Sequence, residues 1–180
     1  KSASTEEEAD FLSGWYDDDF VRLDKIYPYL QRRALFTSLL SMAESDMLLC
    51  CRLCHRLLGV PMFKKKKKCR DRMIVQMLDY LKRHLTIREN MLAPHWAQLN
   101  DLWSIRNAFV HNDGIPSMSD LAAITSLCAS TPTMEIDDRK RIVLKQGSVQ
   151  IALRIVALFF SQLIGEIKCN TLPRKPTQGV

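Results

Sequence analysis

After Pro28 the chain runs to Leu58 without another proline or a glycine, until Gly59 and Pro61 stop it. Apolar side chains recur along this stretch at spacings of three and four, the repeat of a helix that buries one face. The whole 180-residue chain holds only 6 glycines and 7 prolines, and apolar positions elsewhere also recur mostly at helical spacing. The expected fold is all-α, a helical bundle of about five or six helices. At 47% hydrophobic and 26% charged residues, the chain can bury a sizeable core and still present a charged surface.

A first helix is expected from about Asp17, with Pro28 either interrupting it or sitting in the first turn of the next. The long helix ends near Leu58. Further helices are expected over about 70–85, 94–111 (opening at Pro94), 118–129 (capped by Ser117 or Ser119) and 148–168. Residues 134–145 alternate weakly around Asp137, Asp138, Arg139 and Lys140 and read as a small β-hairpin insertion. The expected organisation is a flexible acidic segment over 1–16, one helical domain over 17–168 and a flexible tail over 169–180. A start at Lys1 rather than Met reads as a processed or trimmed product. No run of 18 uncharged apolar residues occurs, so no membrane span is expected.

Three of the six cysteines, Cys50, Cys51 and Cys54, crowd onto the long helix, which makes a poor disulfide framework. A reduced, cytoplasmic location is expected on that ground. Cys51, Cys54 and His55 match the spacing of covalent haem attachment, but inside a leucine-rich helix such cysteines read as small core residues. Zinc needs four ligands, and no second ligand pair has suitable spacing. Neither a metal nor another cofactor is expected.

The net charge of +6 is unevenly spread. Residues 1–24 are acidic, with Glu6, Glu7, Glu8, Asp17, Asp18 and Asp19. Residues 64–72 carry Lys64, Lys65, Lys66, Lys67, Lys68, Arg70 and Arg72 against the single acid Asp71. Such a run attracts phosphate polyanions without sequence preference and is the candidate RNA-binding segment. Its plainer role is a solvated loop.

The stretch Ile105-Arg106-Asn107-Ala108-Phe109-Val110-His111-Asn112-Asp113-Gly114 ends the expected 94–111 helix. On a helical wheel Trp96, Leu99, Leu102, Trp103, Ile105, Phe109 and Val110 fill one half, while Asp101, Ser104 and Ala108 lie opposite. Arg106 falls inside the apolar half; Asn107 and His111, four residues apart, share a stripe at its edge. A buried guanidinium is costly unless paired. The long helix offers carboxylates: Asp46 on a face with Leu35, Leu39, Met42, Leu49, Leu53 and Leu57, and Glu44 at its margin. Arg106 either pairs with Asp46 or Glu44 as a structural contact, or lines a cleft where it stabilises phosphate charge while His111 moves protons.

Arg106 to His111 spells R-N-x-x-x-H, continues into Asn112 and Gly114, and resembles the signature of the HEPN superfamily (higher eukaryotes and prokaryotes nucleotide-binding domain). The segment Arg32 to Leu48 resembles that family's earlier long helix, with Glu44 at the place of its acidic residue, and Val149 to Ile167 resembles its closing helix. The resemblance covers residues 17–168 in order of elements; the lysine run and the hairpin fall outside the general pattern. It implies a helical bundle that forms a homodimer, with the motif helices of two subunits facing one cleft. It also implies metal-independent endoribonuclease activity, in which the substrate's own 2′-hydroxyl attacks the phosphate. His111 would then be the acid/base, Arg106 the phosphate clamp and Asn107 an orienting residue, supported by Glu44, Asp46 and Asn112. Many such ribonucleases are toxins or antiviral defence effectors, so an antitoxin or regulatory protein joins RNA among the expected partners. The alternative is a non-catalytic helical module that binds nucleotides or RNA, or serves dimerisation.

Overall fold

A computed structural model describes residue 19 and residues 21–65, 72–85 and 87–171. A π-helical turn, Arg22–Ile26, leads into the long helix α1, Tyr27–Leu58. Helices α2 (Met73–His84), α3 (Glu89–His111), α4 (Leu121–Ser130) and α5 (Ser148–Thr171) follow. Strands β1 (Met134–Ile136) and β2 (Ile142–Leu144) form an antiparallel pair between α4 and α5, with Met134 opposite Leu144 and Ile136 opposite Ile142. The protein is an all-α bundle with a small hairpin, as its sequence leads one to expect.

Proline and glycine set the limits of α1. Pro28 stands in its first turn, where a missing N–H costs least. There the ladder is in π register: the Tyr27 N–H donates to the Arg22 carbonyl, five residues back. Gly59 closes the helix at φ 66°, a left-handed conformation that glycine adopts without penalty, and its N–H donates to the His55 carbonyl at 3.0 Å. The expected opening of the motif helix at Pro94 is corrected: α3 starts at Glu89 and Pro94 lies inside it. The expected cap of α4 by Ser117 or Ser119 is corrected: the helix starts at Leu121 with Asp120 at its N-cap and no side-chain cap, and the Ser117 hydroxyl accepts from the Asp120 N–H at 3.3 Å in the preceding turn.

Helices α1, α3 and α5 pack on one another, with α3 antiparallel to the other two. Phe36 meets Phe109 edge-on with ring centroids 6.0 Å apart, and Trp96 meets Phe159 at 5.8 Å. Arg88, just before α3, pairs with Glu166 near the end of α5 at 2.6 Å. The short α2 packs on the C-terminal half of α1, where the Cys51 thiol donates to the Met77 carbonyl at 3.7 Å. Among the described residues two helices, Arg22–Leu58 and Ser148–Cys169, are long and apolar enough to cross a membrane by length and composition, with mean hydropathies of 1.3 and 1.6 over 18 residues. In this fold both contribute core side chains, among them Phe36, Leu40, Phe159 and Leu163.

The buried face of α1 differs from the expected one. Phe36, Leu40, Ala43, Met47, Cys50, Cys51 and Cys54 face the core. The leucine stripe expected there points outward: Leu35, Met42 and Leu49 are 59%, 65% and 50% exposed. Helix α1 is apolar on two sides, so burying one leaves the other open to solvent. The cysteines behave as core residues. Burial pushes the Cys50 thiol up to about 11 and the Cys51 thiol up to about 12, so both stay protonated at neutral pH.

A candidate phosphate-binding edge at the end of α3

Arg106, Asn107 and His111 occupy the last two turns of α3, one residue short of its C-cap, Asn112. The flanking Leu102, Ile105 and Phe109 are buried and hold this end of the helix in place. Arg106 and Asn107 are half-buried and His111 is exposed, so the three form a graded edge running from the core to solvent.

The expected ion pair of Arg106 with Glu44 or Asp46 is not formed. Among the described residues no carboxylate oxygen lies within 4.0 Å of the Arg106 guanidinium, and its polar contacts are neutral. Arg106 Nη1 donates to Asn107 Oδ1 at 3.1 Å, and Nη2 reaches Ser41 Oγ of α1 at 3.4 Å, the long end of hydrogen-bond range. Its Nε is buried without a hydrogen-bond partner. The physical reason is register: α1 presents Ser41 to Arg106, while Asp46 is exposed five residues further along, beside the groove between α1 and α5. An unsatisfied buried donor costs about 1–3 kcal/mol.

Sequence reasoning missed Arg33, which secures the site from behind. Its Nη2 donates to the Phe109 carbonyl at 2.6 Å, one of the last carbonyls of α3 that the helix itself cannot satisfy. Its Nη1 pairs with Asp113 Oδ1 at 2.9 Å, and the guanidinium lies 5.1 Å from the Phe109 ring centroid. The only signal in the sequence was the basic pair Arg32-Arg33 at the start of an apolar helix.

The Asn112-Asp113-Gly114 turn is built as strictly. Asp113 and Gly114 both have positive φ, 48° and 84°, and the Gly114 N–H donates to the Ala108 carbonyl at 2.9 Å. The Gly114 carbonyl accepts from the Ile142 N–H at 2.9 Å, fastening the hairpin to the motif turn. Asn112 acts here through its backbone, its N–H donating to Ala108 and its carbonyl accepting from Ile115.

Arg72, expected among the RNA contacts, is engaged within the fold. It donates to Ser104 Oγ at 2.8 Å and pairs with Asp120 Oδ1 at 2.5 Å. This clamp also explains why Ser104, placed on the polar side of the wheel, is buried. Lys64 and Lys65 are exposed; Lys66, Lys67, Lys68 and Arg70 lie outside the described residues.

A family model described as NuBaID, C-terminal domain, matches residues 34–95. The match takes in most of α1, all of α2 and the opening of α3, and ends before Arg106. No curated protein matches the chain. No solved structure matches it.

Proposed function

We propose that the chain is a HEPN-type, metal-independent endoribonuclease whose site is the Arg106–Asn107–His111 edge of α3. The observation that carries this reading is the Arg106 guanidinium, held between core and solvent, without a carboxylate partner among the described residues and with a buried, unbonded Nε. A phosphodiester would supply the missing anion at a position where His111, one turn on and exposed, can exchange protons.

In this reaction the 2′-oxygen of the RNA attacks the adjacent phosphorus and the bond to the 5′-oxygen breaks. The proton of the 2′-hydroxyl goes to a base, and the departing 5′-oxygen takes a proton from an acid. The products are a 2′,3′-cyclic phosphate and a 5′-hydroxyl. Arg106 offsets the charge that builds on the phosphate oxygens. Asn107, its Oδ1 engaged by Arg106, keeps its amide donors for the substrate.

One histidine per chain serves only one proton transfer at a time, and a two-fold homodimer would provide both. The exposed Leu35, Met42 and Leu49, seven residues apart on α1, and the exposed Val110 beside His111 supply apolar surface for a second copy. Lys64 and Lys65 would add a phosphate-attracting flank. A toxin or defence effector of the cytoplasm, restrained by an antitoxin or regulatory protein, is the corresponding cellular role.

The non-catalytic alternative draws on one observation: among the described residues His111 has no hydrogen-bond partner that would fix its ring. The deciding experiment is RNA cleavage in EDTA with His111→Ala and Arg106→Lys. Cleavage to cyclic-phosphate ends that falls by about 10²-fold or more in His111→Ala is expected. Arg106→Lys should also lose much of the activity, because an ammonium has no two-pronged contact to offer. Cleavage abolished by EDTA, or unchanged in His111→Ala, leaves the binding module as the function.

A further inference from the structure

A cavity of about 580 Å³ opens between α3, α4 and α5, away from the Arg106 edge. Its wall carries three polar groups left without partners. The half-buried Asp101 carboxylate and the exposed Arg154 guanidinium make no hydrogen bond or ion pair among the described residues, and His95 Nδ1 is buried without a partner. Burial raises the Asp101 acid above its ordinary range, against an opposing pull from Arg72, whose guanidinium is already committed to Asp120. Leu127, Ile151 and Leu158 supply an aliphatic wall.

These groups come together by helical register. His95, Gln98 and Asp101 follow one another at spacings of three on α3 and line one wall of the cavity along an arc of about 120°. Ile151, Arg154 and Leu158 follow at spacings of three and four on α5. One acid, one guanidinium and one imidazole in a single hollow specify a ligand that carries both negative charge and hydrogen-bond donors. Two cationic or donor groups against one acid favour a phosphate over a lone carboxylate. Sites for small ligands occupy about 300–1,000 Å³ and combine apolar walls with a few convergent polar groups, so a nucleotide-sized ligand suits this hollow better than a single amino acid.

We propose that this cavity binds a nucleoside monophosphate unit, its phosphate at Arg154 and His95, its ribose or base donors at Asp101 and its base against Leu127, Ile151 and Leu158. The unit is either a free nucleotide or one residue of a bound RNA strand. The site needs neither Arg106 nor His111, so it stands independently of the ribonuclease assignment.

Calorimetric titration of the full chain with AMP, GMP, CMP and UMP, and with a short single-stranded RNA, tests it. At least one monophosphate binds the wild type, about tenfold or more weaker to Arg154→Ala and to Asp101→Asn. Tighter binding of the RNA, competed by the monophosphate and lost in the same two variants, assigns the site to a strand; monophosphate binding as tight as RNA binding assigns it to a free nucleotide. Arg154→Gln serves if Arg154→Ala melts early. The proposal is overturned if no monophosphate binds the wild type, if binding ignores Arg154 and Asp101, or if a free amino acid such as glutamate binds more tightly.

Discussion

Arg33 and Asp113, eighty residues apart, meet at 2.9 Å behind the candidate site, and the same guanidinium holds the Phe109 carbonyl at 2.6 Å. His111 lies between the two anchored positions on the chain. Its place is therefore set from α1 as much as from its own helix. Arg33→Ala should cost about 1–3 kcal/mol of stability, the range for a lost charged hydrogen bond, as read by denaturant unfolding. It should also lower RNA cleavage below what the lost stability explains. Full cleavage in a well-folded Arg33→Ala protein would show that the anchor has no bearing on the site.

Gly114 gives a second, steric handle on the same turn. It sits at φ 84°, and an added Cβ would lie 3.2 Å from the Phe109 ring. Gly114→Ala should therefore destabilise by about 1 kcal/mol or more, from backbone strain alone. Thermal melting measures this, and an unchanged melting temperature would mean that the turn relaxes freely.

The fold was legible where the pattern had one solution. Helix order, the stop at Gly59 and the hairpin followed from breaker residues and alternation, which act locally. The orientation of α1 was not legible, because it offers two apolar faces. Leu35, Met42 and Leu49 look more like a core than Ala43, Cys50 and Cys54 do, yet the smaller residues are the buried ones. The same error of face put the expected partner of Arg106 at Asp46 or Glu44 rather than at Ser41. Arg106, Asn107 and His111 were legible because a guanidinium on an apolar arc stands out in sequence. Arg33 was not, since its partners are a backbone carbonyl and a turn residue far along the chain.

That outward face makes a prediction about assembly. Met42→Glu and Leu49→Glu, at positions 65% and 50% exposed, should leave the monomer folded because neither side chain is in its core. They should convert a dimer into a monomer in sedimentation equilibrium, and cleavage should fall with dimerisation. A wild-type monomer, or a dimer that tolerates both charges, would place any interface elsewhere.

Glu166 makes the acid limb of stability predictable. The Arg88 side chain bonds its carboxylate at 2.8 Å, and these bonds hold the Glu166 carboxyl below its ordinary range despite burial. A carboxyl depressed in the folded state stabilises above its unfolded pKa of about 4.3, and that contribution is lost as pH falls through the lower folded value. Wild-type melting temperature should thus drop below about pH 4, and Glu166→Gln, already less stable at neutral pH, should drop less over the same interval. Parallel pH profiles for the two proteins would assign the acid sensitivity to other groups.

The hairpin has a consequence beyond fastening the turn. On the side of β2 away from β1, the Ile142 N–H goes to Gly114, the Ile142 carbonyl accepts from the Tyr29 hydroxyl, and the Leu144 carbonyl accepts from Arg32 Nε. An exposed strand edge is a template for another extended chain, and proteins that avoid such pairing cover it. Here the long helix and the motif turn act as that cover. An unfolded peptide, a second hairpin or a growing aggregate finds no backbone ladder to join along those three groups, so recognition at this end of the molecule falls to side chains on helices.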